Sequence, residues 1–249
     1  SPMSRGLGDV YKRQIQYGSK DCRTDRLCSL FIFSTSIIAY LGGSMNRALL
    51  FSLIILFTIV NALGQTVNLL PHIGVSQEPQ TTDSICDITP YIDPLELYEQ
   101  NGLQVGDTVP DFTLYTIDGT AVTLSEELDK GFPVLLFSGS YTCPVVRHNM
   151  PRFNELIEDA AARVTPILVY IVEPHPIVDN SPYSDTIWEH NMNDLHEVWY
   201  RQATTYGERL EAAEDMDSAV AIDATMVIDG PCNEWWINYG EAPNRAYLI

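Results

Sequence analysis

The sequence predicts an α/β domain in which helices cover both faces of a central mixed sheet, with a β-hairpin at its N-terminal side. Two alternating segments, 112–116 and 121–124, flank an Asp-Gly turn and indicate the hairpin. Two short apolar runs, 134–138 and 165–172, are each followed by a turn or a polar loop, as buried parallel strands are. Strands that alternate with helical segments in this way favour a layered α/β fold.

The remaining elements follow from apolar periodicity and turn residues. Pro144 suits the first position of a helix, because that N–H has no intrahelical partner, and apolar residues then recur at helical spacing down to Arg163. A polar loop is expected at 173–185. The pattern also predicts a helical turn at 125–128, helices at 186–198 and 205–216, strands at 220–222, 225–229 and 245–249, and an aromatic turn at 235–239 whose Trp235 and Trp236 pack in the core.

The first 104 residues are predicted to lie outside the domain proper. Residues 45–64 begin with a short basic stretch, continue as an uncharged apolar run and end in small residues, which is typical of a cleaved signal peptide. Residues 1–44 are then interpreted as non-native translation upstream of the true start, and 65–104 as an extended segment before the domain at 105–249. The alternative is an uncleaved membrane anchor, although the run is shorter than the ~20 residues that a span needs.

The composition excludes some partners. The formal net charge is −19 at pH 7, and the acidic residues concentrate after the predicted signal peptide. Such a surface repels nucleic acid and anionic membranes, so we expect neither nucleic-acid binding nor stable membrane insertion after signal removal. Cys143, His148 and His175 lack compact ligand spacing, and no glycine-rich phosphate loop follows a strand, so neither a metal site nor a nucleotide cofactor is predicted.

Cys143 is the strongest candidate for chemistry. It follows the first buried strand and precedes Pro144, which places its thiol at the N-terminus of a helix. The unpaired N–H groups there favour a thiolate, the nucleophilic form of cysteine. Arg147 lies one helical turn later and would add positive potential.

Three further residues are weaker candidates. His175 follows the second strand, so it is predicted at the same sheet edge as the cysteine, where it could act as a general acid or orient a substrate. Glu173 could orient this imidazole or belong to a solvated acidic face. Arg245 begins the last strand and could bind an anionic group, help to hold a thiolate or form a structural ion pair.

The cysteines of the exported part also bear on redox chemistry. Three remain after residue 64, which in an oxidising compartment leaves at least one thiol unpaired or paired between molecules. A bridge between Cys86 and Cys232 with Cys143 free is the simplest arrangement, but spacing alone does not fix the pairing.

Five segments together carry a resemblance to a known family. They resemble the iodothyronine deiodinase family and its bacterial relatives, within the thioredoxin-like redoxin superfamily. The matching segments are Gly139-Ser-Tyr-Thr-Cys-Pro144, Tyr170-Ile-Val-Glu-Pro-His-Pro176, Tyr206-Gly-Glu-Arg-Leu210, Val227-Ile-Asp-Gly-Pro-Cys-Asn233 and Tyr239-Gly-Glu-Ala-Pro-Asn-Arg-Ala-Tyr-Leu-Ile249.

The resemblance implies a thioredoxin-like fold and an exported thiol-dependent oxidoreductase. It assigns the nucleophile, selenocysteine or cysteine in the family, to Cys143, with Glu173 and His175 beside the substrate. Because residue 141 is Tyr, no resolving cysteine is adjacent, and regeneration by a small thiol or a thiol protein is expected without any cofactor. Family members continue past the last strand, which implies a domain incomplete at its C-terminus. The residues expected to support the site are Ser140, Thr142, Pro144, Arg147, Tyr170 and Arg245.

Two other functions stay open on the sequence. A peroxiredoxin-like peroxidase would use Ser140 and Arg245 with the cysteine, although position 136 is Leu where that family has proline. A non-catalytic exported binding module would keep the fold without an activated thiol. The substrate is expected to be a small molecule or an oxidised thiol, in a secreted or periplasmic setting.

Overall fold

The computed structural model describes residues 68–89, 101–160, 163–184 and 186–249. The predicted upstream segment and signal peptide lie outside the described residues. The strands are β1 (Leu70–Gly74), β2 (Pro110–Thr116), β3 (Ala121–Thr123), β4 (Val134–Gly139), β5 (Thr165–Tyr170), β6 (Thr225–Ile228) and β7 (Arg245–Leu248). The helices are α1 (Leu124–Asp129), α2 (Pro144–Asp159), α3 (Asn191–Leu195), α4 (Tyr206–Ala219) and α5 (Glu234–Tyr239).

The described strands form one mixed sheet in the order β1-β2-β6-β5-β4-β7, with β3 paired to β2. Its centre is parallel: β5 pairs with β4 on one side and with β6 on the other. Antiparallel strands flank this centre, because β7 runs against β4 and β2 runs against both β6 and β3. A parallel β-α-β centre with an antiparallel strand beside β4 is the predicted thioredoxin-like α/β arrangement.

Strand β5 shows why the sheet is covered on both faces. Ile167 and Val169 belong to one buried cluster, together with Trp235 and Trp236, whereas Leu168 belongs to another. Successive side chains of a strand point to opposite faces, so the two clusters are the two interfaces between sheet and helices. Both tryptophans are at most 1% exposed, which confirms their predicted place in the core.

Two predicted elements are wrong. The helix expected at 186–198 is limited to α3. Before it, Ile187 forms a β-bridge with Asn180. The imidazole of His190 accepts the N–H of Met192 and is the N-cap, so the helix begins at Asn191. It ends early as well, since Glu197 has a φ of 56°. The strand expected at 220–222 is absent from these residues, and Val220 instead closes α4 through its N–H to the Met216 carbonyl.

The N-terminal segment is more structured than predicted. It contributes β1, which pairs in parallel with β2. Further along, Ser84 bridges to Thr205 just before α4, and Cys86 forms a disulfide with Cys232, with 4.7 Å between their Cα atoms. Of the described helices, none has the length and hydropathy needed to cross a membrane.

Candidate active site

The candidate site forms where β4 turns into α2. A Cβ on Gly139 would lie 2.6 Å from the Val146 side chain, so only glycine lets the helix pack this closely on the end of the strand. Cys143 is the N-cap of the 16-residue helix, and its N–H donates to the Ser140 carbonyl at 3.2 Å. Cys143 as a whole residue is 2% exposed, and it is the free cysteine among the described residues.

Two opposing effects act on the Cys143 thiol. Burial raises its pKa above the ordinary value, and the negative charge of Glu173 adds to this. The N–H groups of Val146 and Val145, at the helix N-terminus, lower the pKa, as does the Asn244 amide, which lies 3.8 Å from Sγ. The predicted helix effect is therefore present, but desolvation is the larger effect, so the net direction of the pKa shift is upward.

Glu173 is a buried carboxylate that holds the turn before the cysteine. Its Oε2 accepts the N–H of Thr142 at 2.8 Å, and its Oε1 accepts the hydroxyl of Tyr170. The Tyr170 oxygen in turn accepts the N–H of Tyr141 at 3.2 Å. Burial raises the pKa of Glu173, while the bonds from Thr142 and Tyr170 lower it. Both carboxylate oxygens are thus engaged with the turn and Tyr170, rather than with His175 as the sequence suggested.

His175 lies on the other side of the same turn. Its backbone N–H donates to the Thr142 hydroxyl at 3.2 Å, and its ring Nδ1 lies 3.0 Å from the Trp188 carbonyl oxygen. A carbonyl only accepts, so Nδ1 carries the proton and Nε2 is the acceptor. Burial lowers the pKa of His175 to about 4, an effect that His190 and Arg147 reinforce and the Trp188 carbonyl opposes. At pH 7 the ring is therefore neutral and Nε2 accepts rather than donates a hydrogen bond, so a role as general acid, which stays a prediction, requires the ring first to take up a proton.

Arg147 is tied to the same turn from the helix side. It donates to the Tyr141 carbonyl through one guanidinium nitrogen and to the Asn193 side-chain oxygen, 2.8 Å away, through another. Asn193 in turn donates to the Thr142 carbonyl at 2.9 Å. Turn and helix are thus linked to α3, about fifty residues away in sequence.

The other predicted supporting residues have mainly backbone partners. The Ser140 hydroxyl donates to the Val172 carbonyl at 3.0 Å, which ties the turn to the end of the neighbouring strand. Pro144 occupies the first turn of α2, as predicted. Arg245 is the first residue of β7, and its backbone N–H donates to the Ser138 hydroxyl at 3.1 Å.

Sequence reasoning missed three residues of the site. Asn193 and His190 belong to the stretch predicted as a continuous helix. That prediction gave no reason to bond Asn193 to Thr142 or to place the His190 ring 5.2 Å from the ring of His175. Asn244 directly precedes the last strand, which pairs with β4. Its position just before the last predicted strand could have placed it near Cys143. Strand β7 begins opposite the end of β4, and Cys143 follows that end.

The fold and the site define a class: a thioredoxin-like protein with a single free cysteine, among its described residues, at a helix N-terminus, which indicates a thiol-related redox function. A sequence model of the iodothyronine deiodinase family matches residues 25–249. Because the match covers most of the chain, the protein belongs to the iodothyronine deiodinase family. The matched range also includes residues 25–44, which the sequence interpretation placed upstream of the start.

Solved structures give distant matches. One is described as a thiol:disulfide interchange protein DsbE from Chlorobium tepidum, with 17% identity over 60% of this chain and 77% of that chain, and a TM-score of 0.37. Another is the exposed lipoprotein thioredoxin Etrx1 from Streptococcus pneumoniae strain TIGR4, with 16% identity over 48% of this chain and 65% of that one, and a TM-score of 0.29.

Proposed function

We propose that the protein is an exported thiol-dependent oxidoreductase of the deiodinase type in which Cys143 is the redox nucleophile. The observation that carries this proposal is the position of its thiol at the N-terminus of α2, where two backbone N–H groups and the Asn244 amide face the sulfur. These donors stabilise negative charge that develops on the sulfur, and the family assignment favours a substrate with a carbon–halogen bond.

The proposed reaction takes two steps. In the first, the Cys143 thiolate attacks the halogen of an aryl halide; the S–X bond forms, the C–X bond breaks, and the carbon keeps the electron pair and takes up a proton. In the second, two external thiols reduce the S–X bond to the free thiol, releasing halide and a proton and becoming a disulfide. The substrate is reduced by two electrons, and the external thiols supply them.

The neighbouring residues have separate roles in this proposal. Neutral His175 accepts the thiol proton on Nε2 and passes it to the carbon as the C–X bond breaks. Its lowered pKa makes it a weak base but a strong proton donor once it is protonated. Glu173 keeps the Thr142 N–H and the turn in place. Since Cys143 is only 2% exposed, substrate entry requires the surrounding side chains to move.

Export is supported by two features. The pattern at 45–64 is that of a signal peptide, and disulfides such as Cys86–Cys232 persist mainly in oxidising compartments. We therefore propose a secreted or periplasmic location. The reductant is a small thiol or a thiol protein of that compartment.

The test combines thiol reactivity with halide release. The full chain is reacted with iodoacetamide without reductant, and in parallel with an iodinated phenol and dithiothreitol. We expect alkylation at Cys143, located by mass spectrometry, and iodide release that Cys143→Ser reduces by about a thousandfold or more. Because Cys86 and Cys232 are exposed, Cys143→Ser also controls for thiols that dithiothreitol frees from the disulfide.

Two outcomes would replace the proposal. Peroxide consumption that depends on Cys143, without iodide release, would favour the peroxidase. Alkylation no faster than that of a free thiol, with neither activity, would favour a binding module.

A further inference from the structure

Asn193 lies in α3, outside the segments that the sequence assigned to the site, yet only 3% of it is exposed. Both ends of its amide are engaged: Nδ2 donates to the Thr142 carbonyl at 2.9 Å, and Oδ1 accepts from Arg147 at 2.8 Å. It thus connects the residue before Cys143 to the arginine one helical turn after it.

The Arg147 guanidinium has a restricted position as a result. One of its nitrogens bonds to the Tyr141 carbonyl, and its central carbon lies 5.7 Å from the centre of the Tyr141 ring. The second terminal nitrogen is held by Asn193. An arginine on the first turns of a helix could extend into solvent, and these bonds retain it over the turn that carries the nucleophile.

We propose that Asn193 is a positioning residue for Cys143: its amide holds the Arg147 guanidinium on the turn that carries the thiol and ties the Thr142 carbonyl of that turn to the same side chain. The inference rests on the proposed function of Cys143 as the nucleophile. With this role for Asn193, α3 becomes part of the candidate active site. The uncharged Asn193 side chain then determines where the positive charge of Arg147 lies relative to the turn that carries the thiol.

The charged and titratable groups around the pair come from several elements. Glu173, in the loop after β5, acts on the thiol and raises its pKa, whereas the thiolate and the guanidinium favour each other. His175 and His190 face Arg147, and burial lowers the pKa of both, so their rings are neutral above pH 7. A pH profile of alkylation above neutrality is therefore not obscured by these imidazoles.

The experiment measures the rate of iodoacetamide alkylation at Cys143 against pH in the full chain. The variants are Asn193→Ala, Arg147→Gln and their combination, with Asn191→Ala, an exposed position of the same helix, as the matched control. We expect Asn193→Ala and Arg147→Gln each to raise the pH midpoint by about one unit, because a nearby cation lowers a thiol pKa by that order. The double variant should match Arg147→Gln alone, since both changes act through one guanidinium.

Three results would overturn the inference. These are an unchanged midpoint in folded Asn193→Ala, fully additive shifts in the double variant, or an equal shift in Asn191→Ala. Should Asn193→Ala not fold, Asn193→Asp retains an oxygen for Arg147 and is expected to raise the midpoint by neutralising the guanidinium; an unchanged midpoint there has the same force. An unreactive thiol in the unmodified chain would instead defeat the proposed function, so the two failures are distinguishable.

Discussion

Two buried polar networks lie near the ends of the neighbouring strands β5 and β6. They differ in the groups that their hydrogen bonds hold in place. In the first, the Arg209 guanidinium donates to the carbonyls of Asp229 and Gly230, at 3.0 and 2.8 Å, and to the Asn233 side chain at 2.6 Å. The Asp229 carboxylate accepts backbone N–H groups at the start of α5, including that of Trp235 at 3.0 Å. Every one of these bonds holds the backbone or the side chain of Asn233, the residue that precedes α5.

The second network surrounds the cysteine. Its carboxylate, tyrosine and asparagine also bind the backbone of a turn, but that turn carries a thiol whose side-chain partner, Asn244, lies as far away as 3.8 Å. Buried polar residues alone therefore do not identify an active site. The distinguishing feature is a free thiol at the N-terminus of a long helix, on a turn that buried side chains hold in place.

The largest effect is expected from breaking the first network. Arg209→Met leaves two carbonyls and the Asp229 charge without their buried partner, which should lower the free energy of unfolding by about 3–5 kcal/mol. Urea unfolding measures this loss. The alkylation rate of Cys143 in the folded variant should stay unchanged, and a parallel loss of thiol reactivity would show that the two networks are not separate.

The disulfide offers a second test on the same side of the comparison. Cys232 precedes Asn233, which accepts from Arg209, so the bridge holds the N-terminal segment against this network. Replacing Cys86 and Cys232 by Ser should lower the free energy of unfolding by about 2–5 kcal/mol. The pH profile of Cys143 alkylation should be the same with and without the bridge, and a shifted profile would contradict a purely structural role.

Glu173→Gln tests the second network from within. The amide can accept from only one of its two donors, so we expect a loss of about 1–3 kcal/mol in the free energy of unfolding. Its charge raises the pKa of Cys143, so the alkylation midpoint should move to lower pH, opposite to the shift expected for Arg147→Gln. A midpoint that moves upward would show that turn geometry outweighs charge.

The smallest effect per pH unit, at most about 1.4 kcal/mol, is a contrast in the pH dependence of stability between the two networks. Burial raises the pKa of Asp229 to about 6, so the folded state binds its proton more readily, and the stabilising contribution of this group falls as pH rises from about 4 to 6. The lowered pKa of His175 gives the opposite pH dependence. Unfolding exposes an imidazole that takes up a proton below about pH 6.5, so the contribution of His175 to the free energy of unfolding falls as pH drops towards 4.

Chemical denaturation between pH 4 and 7 separates these contributions. Relative to the unmodified chain, Asp229→Asn should become more stable as pH rises, and His175→Asn should become less stable. Two variants with slopes of the same sign would contradict the assignment.

The sequence was sufficient for the parts of the site that depend on local patterns. A buried strand, a small-residue turn and a Pro-initiated helix gave the position of Cys143. Parallel strands then placed Glu173 and His175 at the same end of the sheet. These inferences held because strand ends and helix starts are specified by nearby residues.

The rest depended on tertiary contacts that have no local signal. Asn193 binds Thr142 only because the loop before it folds back and delays the helix to residue 191. The partners of Glu173 likewise follow from the depth of its burial, which leaves the Thr142 N–H nearer than an imidazole. The lowered pKa of His175 required knowledge of its burial as well.

Burial of the free thiol among the described residues has a consequence for stoichiometry. Cys86 and Cys232 are joined to each other, so among the described cysteines only Cys143 is a thiol that can still be oxidised. One molecule can therefore accept a single two-electron oxidation at this sulfur. Cys143 is 2% exposed in the folded chain, so its sulfur cannot readily meet the same sulfur of another molecule. A high protein concentration alone should therefore not produce dimers linked through Cys143. Under the proposed function, each molecule therefore completes its cycle with an external reductant rather than with a second copy of itself.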